Sequence, residues 1–260
     1  GQSPAIQHLR QTIQKIARSQ APVFIHGESG TGKEVVANLV HSLSNRSHGP
    51  FIAINCGAIP SELMESELFG HKKGSFTGAN QDKQGLIQAA HGGSLFLDEL
   101  AELPLTMQVK LLRAVQEKRI RPIGSDSEIE VDFRIISATH QNLEQLVQQG
   151  KFRQDLFFRI HVMDIQLPPL RERGDDILLL ARHFIEKISQ EWQIPRKHLS
   201  TAAANFLLQQ HFPGNVRELR NLMERALTLC DSTEIEVEHL QASTLRSPST
   251  PVIEANVASP

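Results

Sequence analysis

Short apolar runs recur through the first two thirds of the chain: Val23-Phe24-Ile25, Phe51-Ile52-Ala53-Ile54, Ser94-Leu95-Phe96-Leu97, Arg134-Ile135-Ile136-Ser137-Ala138 and Val162-Met163-Asp164-Ile165. Hydrophobicity that is continuous rather than alternating predicts strands covered on both faces, as in a parallel sheet. Helical spacing fills the intervals. Residues 34–44 place Val36, Leu39, Val40 and Leu43 on one face. Residues 104–118 do the same with Met107, Leu111, Leu112 and Val115, and Pro104 takes a first-turn position. Strands alternating with helices predict an α/β layer fold with a parallel sheet and right-handed crossovers.

The pattern changes after Leu167-Pro168-Pro169. Residues 175–192, 200–211 and 215–230 read as helices, and no strand of comparable strength accompanies them. Asn215 follows Pro213-Gly214 and is expected to cap the last of these helices. The expected domains are an α/β unit over 1–167 and a helical unit over 168–242. Ser, Thr and Pro dominate residues 243–260, which read as a solvated linker, with a further domain expected beyond it.

Composition narrows the function classes. At 260 residues the chain can bury a full core. A formal net charge of -2 argues against a broad nucleic-acid surface, which needs a basic excess. Cys56 and Cys230 form no metal or disulfide spacing and read as half-buried small side chains in a reducing compartment. The 12 histidines show no ligand spacing and read as surface or hydrogen-bonded residues. No apolar run approaches the ~18 residues of a membrane helix and no signal peptide opens the chain, so the expected location is cytoplasmic.

Two blocks carry nucleotide chemistry. Gly27-Glu28-Ser29-Gly30-Thr31-Gly32-Lys33 lies between a predicted strand and a predicted helix, the context a phosphate loop requires. Its glycines let backbone N–H groups close around phosphate oxygens, the helix N-terminus favours negative charge, and Lys33 reaches the outer phosphates. Glu34 stands where the general pattern has a Ser or Thr that ligates Mg²⁺, which shifts that burden elsewhere. Asp98-Glu99, at the end of a buried strand, supplies it: one carboxylate can hold hydrated Mg²⁺ while the other orients the attacking water of ATP hydrolysis.

Between these blocks lies Gly74-Ser75-Phe76-Thr77-Gly78-Ala79. Its phenylalanine has no evident neighbours with which to build a core, and its flanking glycines permit backbone angles that other residues resist. The run predicts a mobile loop tip carrying one aromatic anchor.

With these residues in place the chain resembles the central ATPase domain of sigma-54-dependent transcriptional activators, a branch of the AAA+ superfamily. The resemblance covers residues 1–242 through GESGTGKE at 27–34, ESELFGHKKGSFTGA at 65–79, GGSLFLDE at 92–99, FRQDLFFR at 152–159, LPPLRER at 167–173 and FPGNVREL at 212–219. The stretches 62–78 and 107–118 are most similar to the pilus-gene regulators. The family's usual hexapeptide has Ala where Ser75 stands, a swap expected to alter tuning rather than mechanism.

The resemblance implies a P-loop NTPase fold, a parallel sheet sandwiched by helices and followed by a smaller helical lid. It implies ATP and Mg²⁺ as ligands and an ATPase working as a ring, usually a hexamer. Lys33 would contact phosphates, Asp98 the Mg²⁺ and Glu99 the hydrolytic water. Asn55 matches the residue that switches Glu99, and Thr139 the γ-phosphate sensor. Arg217 matches a second sensor, and Arg153 and Arg159 the fingers entering a neighbouring subunit's site. On residue type alone that arginine pair would instead read as surface residues bridged to Asp155. Ile6 and Ile177 are candidates to pack on adenine, with ordinary core packing as the alternative. The hexapeptide would contact sigma-54 in the RNA polymerase holoenzyme, and residues 121–131 match a second sigma-facing loop whose plain reading is a hairpin turn. DNA would be reached only through a domain missing from this chain. The competing functions are an AAA+ remodelling ATPase with another protein client, and a nucleotide-gated regulator without productive turnover.

Overall fold

A computed structural model describes residues 1–241. The expected linker at 243–260 lies outside the described residues. The apolar runs form a five-stranded parallel sheet: β1 Val23–His26, β2 Phe51–Asn55, β3 Ser94–Asp98, β4 Arg134–Thr139 and β5 Met163–Gln166, in the spatial order β2-β3-β4-β1-β5.

Period-2 alternation divides each buried strand between two cores. Leu95, Leu97, Ile135 and Phe24 face one side, packing with Leu68, Leu111 and Leu156. Phe96, Ile136, Val23 and Ile25 face the other, packing with Ile13, Val36 and Val40. Arg134 is buried at the start of β4, where it donates to the carbonyls of Ile16 (2.9 Å), Ala17 (3.0 Å) and Ala21 (3.1 Å). The Ile16 and Ala17 carbonyls end the first helix, α1 (Pro4–Ala17), and the Ala21 carbonyl lies just before β1.

The helix after the phosphate loop, α2 (Lys33–Ser42), is rotated from its predicted orientation. Val36, Ala37, Val40 and His41 are buried, while Leu39 and Leu43 are exposed. The buried face turns toward His41 because its Nδ1 lies 2.9 Å from Ser94 Oγ on β3, a polar anchor that a hydrophobic count misses. Pro104 sits one residue before the helix α3 (Leu105–Glu117) rather than inside its first turn. Cys56 and Cys230 are fully rather than half buried, and burial pushes the Cys56 thiol up to about 12.

Four α-helices follow Pro169 among the described residues: α4 (Asp176–Glu191), α5 (Thr201–Leu208), α6 (Asn215–Leu229) and the short α7 (Val237–Gln241). They enclose a separate core that includes Ile185, Leu207, Leu219 and Met223. Ser200 caps α5, its side chain accepting from Ala203 N at 3.1 Å. Asn215 does not cap α6. That position is held by Gly214, and Asn215 is fully buried with a left-handed φ of 52°.

Candidate active site at the carboxyl ends of the strands

Parallel register brings the candidate residues to one edge of the sheet. His26 pairs with Thr139 and Asn55 with Asp98, so the ends of four strands meet there. In open α/β sheets this edge is where ligands bind.

The phosphate loop folds back toward β1. Thr31 is buried and its hydroxyl donates to the Glu28 carbonyl at 2.8 Å. Gly32 adopts φ 102° and caps α2. Lys33 is buried at the head of α2, and its ammonium donates to the carbonyls of Gly27 (3.1 Å) and Glu28 (3.3 Å). The same ammonium lies 3.9 Å from Glu99 Oε1, so loop and acidic pair form one cluster. Glu34 is exposed, close enough to Asp98 to help raise its pKa.

Asp98 ends β3 and accepts from the Glu99 backbone N–H at 3.0 Å. Burial, the largest influence, holds its carboxyl above the usual range; the Glu99 N–H bond opposes this, the Glu99 charge adds to it and Lys33 opposes it. Glu99 occupies the left-handed region with φ 50°, a conformation costly for a residue with a side chain. Its Oε2 accepts from His140 Nδ1 at 2.8 Å and, at 3.5 Å, from the Thr139 hydroxyl. Asn55 points elsewhere. Its carboxamide oxygen accepts from Gly57 N at 3.0 Å, and among the described residues the Glu99 carboxylate is hydrogen-bonded by His140 and Thr139. Asn55 thus closes its own turn.

Contacts from beyond Pro169 clamp the phosphate loop. Arg217 Nη1 donates to Ser29 Oγ at 3.1 Å. Arg171 forms a forked pair with Glu28 at 2.7 and 2.9 Å. Hydrogen bonds from Arg171, then from Asn215, hold the Glu28 carboxyl down at about 2. Arg173 is buried and donates to the carbonyls of Thr31 and Pro168, each at 2.8 Å. Asn215 joins three segments: it donates to Glu28 Oε2 and the Ser29 carbonyl at 3.0 Å each and accepts from Leu170 N at 2.8 Å. Gly30, at φ 77°, accepts from Val216 N at 3.0 Å. Sequence reasoning missed Arg173, Asn215 and His140 as members of this site. The signal for the first two lay in the LPPLRER and FPGNVREL blocks.

The remaining candidates are dispersed. Arg153 takes the cap position of the short helix 154–160 and Arg159 lies in its last turn. Arg153 makes the surface pair with Asp155, Nε to Oδ1 3.0 Å. Arg159 is exposed, without an ion-pair partner among the described residues. It lines a cavity with Pro22 and Arg134, at the opposite end of β1 and β4 from the phosphate loop. Ile6 packs against the core beneath α1, and Ile177 is buried in the helical core. Neither lines the cavity of about 670 Å³ beside Gly27, which is walled by His8, Leu9, His26 and Pro168.

The hexapeptide forms a hydrogen-bonded turn, with Gly74 N donating to Ala79 O (2.8 Å) and Ala79 N to Phe76 O (3.0 Å). Gly74 and Gly78 adopt φ 78° and 103°. Phe76 has a neighbour after all: its ring meets His71 edge-on with centroids 5.0 Å apart, though 41% of the residue stays exposed. His71 in turn bonds Ser66 Oγ at 2.7 Å. Residues 119–120 and 129–130 pair antiparallel, so the segment between them is the expected hairpin.

Residues 1–166 match the family described as the sigma-54 interaction domain, and residues 171–255 match the AAA+ ATPase lid domain. Response regulator protein PilR of Pseudomonas aeruginosa is 56% identical over 241 residues, covering 93% of this chain and 54% of that protein. Regulatory protein AtoC of Escherichia coli is 50% identical over 227 residues, covering 87% and 49%. The chain spans about half the length of these curated relatives. Among solved structures, NtrX from Brucella abortus in complex with ATP superposes with a TM-score of 0.85 at 39% identity, over 92% of this chain and 55% of that one.

Proposed function

This chain belongs to the sigma-54-dependent transcriptional activators, with the AAA+ P-loop fold and helical lid of that family, and we propose that it is the ATP-hydrolysing motor of such a regulator. Residues 1–167 are the nucleotide-binding unit, 168–242 its lid, and the product of the cycle is a remodelled sigma-54 RNA polymerase holoenzyme. The observation that carries this reading is one cluster: Lys33 within 3.9 Å of Glu99, beside half-buried Asp98 and under a lid that bonds the phosphate loop through Arg173, Asn215 and Arg217.

Each residue has a task that physical chemistry supports. Backbone N–H groups of 27–34 and Lys33 bind ATP phosphates. Glu99 orients the attacking water, Thr139 senses the γ-phosphate, and Arg217 reports lid closure. Asn55 adjoins Asp98 in register and couples to the pair only if its carboxamide leaves Gly57. Oxygen donors suit Mg²⁺, and the Asp98 carboxylate, penalised by its own burial, suits a cation. Asp98 would hold Mg²⁺, which when bound neutralises charge on the phosphates. Arg159, remote from its own phosphate loop, serves a neighbour in a ring, expected to be hexameric, and Arg153 joins it on leaving Asp155. This work takes place in the cytoplasm, and DNA is reached through a domain outside this chain.

The Gly74–Ala79 turn is the contact to sigma-54, through Phe76 and Thr77, both exposed. Phe76→Ala should retain ATP hydrolysis within about twofold and abolish both sigma-54 capture with a transition-state ATP mimic and open-complex formation. Normal open-complex formation by that variant would refute the loop's role. Unchanged phosphate release by Glu99→Ala would refute the catalytic role given to Glu99.

A further inference from the structure

Asp176, the first residue of α4, is 3% exposed, and its side chain reaches across the boundary between the two units. Its carboxylate accepts from the backbone N–H groups of Gln2 and Ser3, the latter at 3.1 Å, and from the Ser3 hydroxyl at 2.7 Å. Two successive N–H groups aimed at one carboxylate form an anion cradle, here at the positive end of α1. Ser3 occupies the cap position of α1 yet makes no capping bond, and the first turn of α1 carries no acid. Asp176 supplies that charge from the lid while standing in the first turn of its own helix. One buried carboxylate thus serves the starts of two helices.

Both helices are fixed within their own units. α1 packs through Leu9 and Ile13 into the core that holds Val36 of α2, the helix that begins with Lys33. Ile177, next to Asp176, packs with Leu219 and Met223 of α6, whose first turn carries Arg217. The Asp176 bonds therefore attach the lid to α1 rather than to the phosphate loop, which Asn215 and Arg217 already hold. We propose that Asp176 is a positioning residue for nucleotide binding: by latching α4 to the start of α1 it fixes the angle of the lid, and so places Arg217 and Asn215 on the phosphate loop. This rests on the nucleotide-binding reading above. A carboxylate this buried is costly unless its bonds are made. The latch is thus closed with the lid docked, or open to water with the lid displaced, and lid angles between these leave a buried charge unpaired.

The test measures fluorescent ADP affinity, hydrogen exchange and thermal melting for Asp176→Ala, Ser3→Ala, Arg217→Ala and their double variants. Asp176→Ala should weaken ADP binding about 10-fold, the scale of one hydrogen bond to a charged group, and speed exchange in residues 1–10. Ser3→Ala, which leaves both N–H donors, should weaken binding about two- to fivefold, and adding it to Asp176→Ala should change nothing further. Asp176→Ala and Arg217→Ala together should cost less than the product of their separate effects, since both act through lid placement. A merely structural role would lower the melting temperature and leave ADP affinity and this coupling unmoved. Wild-type ADP affinity in Asp176→Ala, unchanged exchange in residues 1–10, or independent effects of Asp176→Ala and Arg217→Ala would each overturn the proposal. A wild-type protein that binds no ADP would instead sink the nucleotide-binding reading and this role with it. If Asp176→Ala does not fold, wild-type affinity in Ser3→Ala overturns the proposal equally.

Discussion

Ser75 lies against Gly124: a Cβ built on Gly124, whose φ is +73°, would stand 2.6 Å from the Ser75 Cβ. Ser75 lies between the antiparallel segments 70–71 and 83–84, and Gly124 between 119–120 and 129–130. Lys72 N donates to Ile123 O at 2.9 Å and Ile123 N to Gly70 O at 3.0 Å, so the hexapeptide loop is fastened to the hairpin beside it. Close approach at Gly124 is possible because glycine has no side chain there. The contact also buries Ser75 Oγ, which finds no hydrogen-bond partner.

Ser75→Ala is therefore expected to strengthen the docked loop. Relieving an unpaired buried hydroxyl stabilises by about 1–3 kcal/mol, which slows local opening roughly 5- to 100-fold. Hydrogen exchange over residues 72–80 reads this directly, and phosphate release should stay within about twofold of wild type. Exchange that is unchanged or faster would show that the hydroxyl is satisfied in solution.

Acid should loosen the lid through Glu28. Its carboxyl is held at about 2 against an ordinary 4.5, chiefly by hydrogen bonds from Arg171 and then Asn215. A folded-state pKa below the unfolded one contributes stability that is complete above pH ~4.5 and disappears as pH falls toward ~2. Arg171→Gln removes the main cause. The pair is exposed, so the effect is small at neutral pH, as for other surface ion pairs. Urea unfolding should show a wild-type advantage over the variant at pH 6 that narrows below pH 4. A difference that grows on acidification would contradict the assignment.

Gly30→Ala tests the lid clamp from the loop side. A Cβ at Gly30 would meet the Gly214 carbonyl oxygen at 2.2 Å, and its φ of +77° is unfavourable for alanine. Backbone cannot yield as a flexible side chain does, so the lid must move away and the Val216 N–Gly30 O bond at 3.0 Å is lost. Strain of this kind costs about 1–3 kcal/mol, enough to weaken nucleotide binding roughly 10- to 100-fold. Fluorescent ADP titration measures it. Wild-type affinity would mean that lid docking and nucleotide binding are independent.

The sheet was legible because its strands leave five short apolar runs, three of them buried along nearly their whole length, and the phosphate loop because its chemistry is contiguous. Other features had no local signal. Asn215 has the composition of a helix cap after Pro213-Gly214, yet its carboxamide is drawn to Glu28 and Ser29, more than 180 residues away in sequence. His140 became a partner of Glu99 only when β3 and β4 were brought side by side. The rotation of α2 followed from one hydrogen-bond contact, His41 with Ser94, between residues whose pairing no periodicity reveals. Long-range polar contacts of this kind determine the site and leave no periodic trace.

Arg159 gives the sharpest test of a shared site. It is exposed and lies at the end of β1 and β4 opposite the phosphate loop, so within one subunit it cannot stabilise charge at Lys33. Supplied by a neighbour, it is expected to raise hydrolysis about 10³- to 10⁵-fold. Arg159→Ala alone should therefore be nearly inactive, and so should Lys33→Ala, for a different reason. Mixed in equal amounts at ring-forming concentration, the two should recover a fraction of wild-type phosphate release. Some interfaces would then join an intact Lys33 from one variant to an intact Arg159 from the other. Recovery should vanish on dilution to monomers. Two inactive proteins that stay inactive together, while forming mixed rings by subunit exchange, would show that Arg159 serves its own chain or none.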